Sequence, residues 1–201
     1  MQIFRSISDF THWRNSIESQ NIGFVPTMGA LHLGHFSLIK TSIKSSTITI
    51  VSIFVNKLQF GPNEDFNNYP RTLKKDLDAL KEMKVDAVFL PSHEELYDKS
   101  YSFTVSENNL STKLEGAARP NFFNGVCTVV LKLFNIIRPT QSFFGQKDIQ
   151  QLMIVKKLAL DLNLNVKIVG CKTIRNSHGL AMSSRNQYLT NEEKLLAANI
   201  Y

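Results

Sequence analysis

The chain has 201 residues, enough for one α/β domain of ordinary size, and with 43% apolar and 20% charged residues it is neither disordered nor fibrous. Its net charge of +6 admits nucleic acid or an acidic small substrate, and lysines scattered without a run of five favour the small substrate. The longest apolar run, residues 48–55, holds Thr49 and Ser52 and is too short to cross a bilayer, so neither a membrane nor nucleic acid is expected as a partner.

Residues 1–5 carry one basic residue and no apolar stretch of signal-peptide length, so export is not expected. Cys127 and Cys171 lie far apart without CxxC spacing and read as free buried thiols of a cytoplasmic protein. Ser8 and Asp9 signal a helix start, and Phe10, Trp13 and Ile17 follow at helical spacing.

Residues 23–35, GFVPTMGALHLGH, are expected to form a buried strand that breaks at Pro26, turns through two glycines and enters a helix at about Gly34. A turn of this kind aims backbone N–H groups and a helix dipole at a ligand, usually phosphate. His32 and His35 add two imidazole donors to the same volume; the competing reading is a structural metal or two satisfied helix-start histidines.

Residues 36–43 then read as a crossover helix and 48–55 as a strand covered on both faces, which makes a βαβ unit and a parallel sheet. Asn56 and Gln59 follow at the strand's carboxyl end, where ligands of open parallel sheets bind. Residues 73–83 form a helix on a Leu73, Leu77, Leu80 face, with Asp76 and Asp78 on the solvated side and one of them in reach of a nucleotide-borne metal. A third strand spans residues 85–90. The irregular stretch 91–120 is expected to contain an edge strand at 101–105 and a basic-ended loop at 114–119.

Residues 125–137 read as a core helix whose Val129 and Val130 either line an apolar subsite or are simply core. The strand at 142–144, the Gly145-Gln146-Lys147-Asp148 turn and the helix at 149–161 repeat the opening strand, glycine turn and helix entry. A strand at 166–169, a donor-rich loop at 174–186 and a last helix from Asn191 to the chain end complete the pattern. Lys147, Ser183, Ser184 and Arg185 are donors to oxyanions, and Gln59 and Gln151 are uncharged partners for a polar substrate. No nucleophile has a recognisable base, so direct displacement at phosphorus is expected. The fold class is α/β, a Rossmann-like parallel sheet with helices on both faces.

Four ordered motifs, VPTMGALHLGH, FVNKLQFGPNEDFNNYPRT, FFGQKDIQQL and GLAMSSRNQYLT, closely resemble the pantoate–β-alanine ligase family, itself within the HxGH nucleotidyltransferase superfamily. The resemblance implies a two-step reaction through pantoyl adenylate, with ATP, Mg²⁺, pantoate and β-alanine as reactants, and a homodimer. It implies that Met28, Gly29, Ala30, Leu31, His32, Leu33 and Gly34 contact ATP and that His35 is catalytic, with His32 and Lys147 beside it. Gln59 and Gln151, with Asn56 close by, would hold pantoate; Gly145, Gln146, Lys147 and Asp148 would bind the nucleotide. Ile174 would lie on adenine, Met182, Ser183, Ser184 and Arg185 over the leaving pyrophosphate, and Asp76 would be the metal-side carboxylate.

The chain departs from the family pattern at Lys57 and Leu58, at Lys75, at Gln146 and at Phe122, where the family has a histidine. Residues 1–190 are expected to be the ATP- and pantoate-binding domain, and 191–201 the start of a helix leading to a C-terminal lid absent from this chain. Without that lid, substrate binding with weak turnover is expected. The alternatives are a related nucleotidyltransferase or a catalytically weak nucleotide-binding module.

Overall fold

The structure is a computed structural model that describes residues 1–17 and 20–200. In chain order the elements are β1 (Gln2–Phe4), α1 (Ile7–Ser16), β2 (Ile22–Thr27), α2 (Leu33–Ser45), β3 (Ile48–Ile53), α3 (Leu73–Glu82), β4 (Ala87–Phe89) and α4 (His93–Leu96). They continue with α5 (Leu114–Ala118), α6 (Phe122–Ile137), β5 (Gln141–Gly145), α7 (Ile149–Asp161), β6 (Lys167–Cys171) and α8 (Asn191–Ala198). All six strands run parallel in the order β1-β4-β3-β2-β5-β6.

The two-residue period of the strands divides the core between two faces. Phe24, Ile50, Phe89 and Phe144 point to the side covered by α1, α6 and α7, where Phe10, Phe134 and Ile154 meet them. Val25, Val51, Val88 and Phe143 point to the opposite side, under Leu38 and Ile39 of α2 and Leu80 of α3. Each such large side chain contributes about 2 kcal/mol on burial. The expected α/β sheet with helices on both faces is therefore what forms.

Several elements differ from expectation for identifiable reasons. The strand at β2 runs through Pro26 to Thr27. Ile22 accepts from Thr140 on the β5 side and Thr27 accepts from Phe54 on the β3 side, so by alternation the Pro26 nitrogen faces β5, whose pairing ends at Phe24. The first helix is capped by Ser6, not Ser8: its hydroxyl accepts from Asp9 N at 3.1 Å and donates to the Asp9 carboxylate. No strand forms at 101–105; the sheet edges are β1 and β6, and Val105 N donates instead to Thr128 Oγ1 on α6 at 2.9 Å. Residues 114–118 are helical, and α6 starts at Phe122 rather than Gly125. The last helix ends at Ala198; Tyr201, to which it was expected to extend, lies outside the described residues.

From β2 the chain moves outward through β3 to β4, then returns across the sheet to β5 on the other side of β2. The reversal leaves a crevice at the carboxyl ends of β2 and β5, where such sheets bind ligands.

Candidate active site

A cleft of about 250 Å³ opens at that crevice. It brings together Met28, Gly34 and both histidines from the β2–α2 turn with Gly145, Lys147 and Asp148 from the β5–α7 turn. Asn56, Gln59, Val129, Val130 and Gln151 line it, as do Ile174, Met182, Ser183, Ser184 and Arg185. The four separate segments singled out in the sequence thus share one volume. Gly29, Leu33 and Gln146 lie outside its lining, and Ala30, Leu31 and Asp76 line a second, more open depression that shares His32, Ser183 and Ser184 with the cleft.

The turn itself is built differently from the expected anion nest. Gly29 and Ala30 both adopt positive φ, +81° and +49°. A β-carbon on Gly29 would come within 3.0 Å of Ile53 Cγ2, so that position requires glycine on both counts. Gly29 N donates to Thr27 Oγ1, Ala30 N and Leu31 N each donate to the Asp76 carboxylate at 2.9 Å, and Gly34 N donates to His32 Nδ1. His32 N points to His35 Nδ1 at 3.3 Å. These N–H groups are consumed within the turn and do not face a ligand.

What faces the cleft is imidazole. Each Nδ1 accepts from a backbone amide, so in the neutral ring the proton sits on Nε2. The rings lie 4.1 Å apart, which disfavours charging both. Burial, then His32 and Lys147, push His35 down to about 3; burial and Lys147 lower His32, opposed by Asp148. The cleft therefore holds two neutral imidazoles, each with its proton on Nε2, and His35 is no proton store near neutrality.

The same shifts fix a stability profile. Below the unfolded value of about 6.5 the unfolded chain binds a proton that folded His35 refuses until about pH 3, so stability falls as pH drops through that window. Urea titrations at pH 7, 6 and 5 are expected to show this loss, at up to ~1.4 kcal/mol per pH unit per histidine. His35→Gln should flatten it; an equal slope in the variant would show that His35 is not its source.

Asp76 is the clearest departure from expectation. It is 3% exposed rather than solvated, because α3 turns Asp76 and Leu80 inward and leaves Leu73 39% exposed. Its two oxygens take Ala30 N, Leu31 N and the Thr72 hydroxyl, so a metal there would have to displace three donors. Among the described residues no three His, Cys, Asp or Glu side chains group to hold a metal. Asp78 is exposed, as expected.

Asn56 is likewise occupied. It is 1% exposed; its Nδ2 donates to Gly125 O at 3.0 Å and to Gln59 Oε1 at 3.2 Å, and its Oδ1 accepts from Tyr97. It holds Gln59 rather than offering a free polar atom. A β-carbon on Gly125 would lie 2.3 Å from Leu58 O, so only glycine lets the Lys57–Gln59 turn rest on α6.

Sequence reasoning missed Tyr69, Arg119 and Lys172, which also line the cleft. Arg119 pairs with Glu64 and Glu115 and lies 3.7 Å over the Phe122 ring, so the phenylalanine at the family's histidine position serves as a stacking platform for a guanidinium. Arg185 is bound by Asp65 through Nε and Nη2, at 2.9 and 2.7 Å, and Tyr188 donates to the same carboxylate. Ser184 donates to Ala30 O at 3.0 Å, which seats this loop on the histidine turn. Val129 and Val130 belong to the core and line the cleft at once.

The sequence profile described as Pantoate-beta-alanine ligase matches residues 2–201. The chain belongs to the pantoate–β-alanine ligase family. It is 55% identical over 189 residues to the pantothenate synthetase of Thermosipho africanus, covering 94% of this chain and 68% of the relative. To that of Fervidobacterium nodosum it is 54% identical over 184 residues, 92% and 66% of the respective lengths. The solved pantothenate synthetase of Thermus thermophilus superposes with a TM-score of 0.96 at 41% identity, over 100% of this chain and 72% of that one. The Francisella tularensis pantoate-beta-alanine ligase, solved with β-γ ATP and β-alanine, gives 0.95 at 44%, over 100% and 78%. The chain thus spans about two thirds of the length of the curated pantoate–β-alanine ligases it matches. Among its described residues no helix is long and apolar enough to cross a membrane.

Proposed function

We propose that this cleft binds ATP and pantoate and forms pantoyl adenylate, from which β-alanine yields pantothenate. In the first step a pantoate carboxylate oxygen attacks the α-phosphorus, the bond to the bridging oxygen breaks and pyrophosphate leaves. In the second the β-alanine amine attacks the acyl carbon, the bond to AMP breaks and the amine loses a proton. The observation that carries this reading is the pair of imidazoles with Nε2–H donors in the same cleft as Lys147 and the amides of Gln59 and Gln151. Neutral donors and one ammonium suit a transition state in which charge spreads over phosphoryl oxygens.

In this assignment Lys147 approaches phosphate, Asp148 the ribose hydroxyls, Ile174 the adenine side, and Met182, Ser183, Ser184 and Arg185 the leaving pyrophosphate. Arg185 keeps Nη1 for that contact while Asp65 holds its other nitrogens. Gly29, Ala30 and Leu31 act by shaping the turn that carries the histidines. Magnesium enters as part of the nucleotide substrate, with Asp76 reserved for the turn. A cytoplasmic location accords with two buried free cysteines, and a homodimer with Phe103, an apolar side chain 80% exposed in the segment 101–107 outside the sheet.

Labelled pyrophosphate is expected to exchange into ATP when pantoate is present, without β-alanine. Exchange that ignores pantoate, or pantoate-dependent ATP binding with no exchange, would refute adenylate formation by this chain.

A further inference from the structure

The Gln59 amide has to present a defined end to the cleft, because an amide offers a donor on one side and an acceptor on the other. Its Oε1 is taken by Asn56 Nδ2 at 3.2 Å, and its Nε2 lies 3.0 Å from Met28 Sδ at the cleft wall. The orientation of Asn56 decides which end of Gln59 is consumed. Two contacts fix that orientation: Gly125 O can only accept, so Nδ2 faces it, and the Tyr97 hydroxyl donates to Oδ1 at 3.2 Å.

Tyr97 is placed for this task by its surroundings rather than by the cleft, whose wall it does not reach. It is 6% exposed and follows α4, with Phe54, His93 and Tyr101 rings 4.9 to 6.1 Å from its own. Lys132 Nζ lies 5.6 Å from its ring centre. From this packing the hydroxyl reaches Asn56, just past the β3 carboxyl end. Burial raises the phenol well above its ordinary value, so it stays a protonated donor.

We infer that Tyr97 is a positioning residue: through Asn56 it holds Gln59 with its NH₂ end toward the acid substrate, and so sets that substrate's affinity without touching it. The inference rests on the proposed pantoate site, and its consequence is specific. Removing the hydroxyl leaves Asn56 Oδ1 buried without a donor and Gly125 O as the one remaining contact that orients the amide, which loosens its hold on Gln59. Packing of the ring is retained in Tyr97→Phe, so nucleotide binding at the other end of the cleft should not follow.

Two measurements on the full chain test this. In the free protein, the Gln59 side-chain ¹H–¹⁵N signal should shift or broaden in Tyr97→Phe while that of Gln151 stays. In titrations, Tyr97→Phe should weaken pantoate binding about tenfold and ATP binding by less than about twofold. Because Tyr97 acts through Gln59, the double variant Tyr97→Phe/Gln59→Ala should bind pantoate as Gln59→Ala does, whereas independent roles would multiply the two losses. An unmoved Gln59 signal, or multiplying losses, would overturn the inference. Absence of pantoate binding by the unsubstituted chain would instead overturn the substrate assignment, and the amide signal would then decide the role of Tyr97 alone.

Discussion

His35→Ala is expected to slow pantoate-dependent adenylation by ~10²–10³-fold while changing ATP affinity far less, the size of effect seen when one preorganised donor to a developing oxyanion is removed. The geometry gives the reason. His35 Nδ1 is held by His32 N, so its Nε2–H is aimed without reorganisation, and the buried ring stays neutral. A neutral donor contributes most where charge grows between ground and transition state, which places the loss in turnover. His35→Gln, which keeps an N–H at similar reach, should recover part of it. Because burial pushes His35 in the free protein down to about 3, kcat/KM should show no acid limb from this ring between pH 6 and 8. A full rate for His35→Ala in the exchange assay would remove His35 from the chemistry, and an acid limb that vanishes in His35→Gln would make it a proton donor instead of a fixed dipole.

The sheet was legible because its signals are local. The run at 48–55 reads as a doubly covered strand and β3 forms over Ile48–Ile53 of it, and the 149–161 helix begins and ends where its apolar period does. The grouping of His32, His35, Gln59, Lys147 and Ser184 was also legible, since each follows a strand that any parallel sheet would end on the same side. Long-range partners were not legible. Asp76, three residues after Leu73 and four before Leu80, lies at the border of the apolar face, and what draws it inward are amides 45 and 46 residues earlier that no local rule announces. Three-residue β1 is too short to show a period and forms because Gln2 N and Phe4 O find Asp86 O and Leu90 N. Tyr97 sat in an aperiodic stretch, and its importance comes only from the Asn56 amide 41 residues away.

Asp76 carries the second large effect. Asp76→Asn replaces a carboxylate that accepts three hydrogen bonds with an amide that has one acceptor and one donating end. One of the Ala30 and Leu31 amides must then face an NH₂ in a site 3% exposed, with Ala30 already at φ +49°. Losing charge-assisted bonds and burying an unsatisfied donor costs about 3 kcal/mol. In a chain of this length that lowers the melting temperature by roughly 6–12 °C. Because the same turn carries both histidines and receives Ser184 on Ala30 O, ATP affinity should fall at least about tenfold with the stability. A metal-ligand role predicts the opposite separation: unchanged melting, and activity restored by raising magnesium. Melting curves and magnesium titrations of Asp76→Asn, run together, decide between a carboxylate that builds the turn and one that binds a cation; preserved melting with magnesium rescue would reject the first.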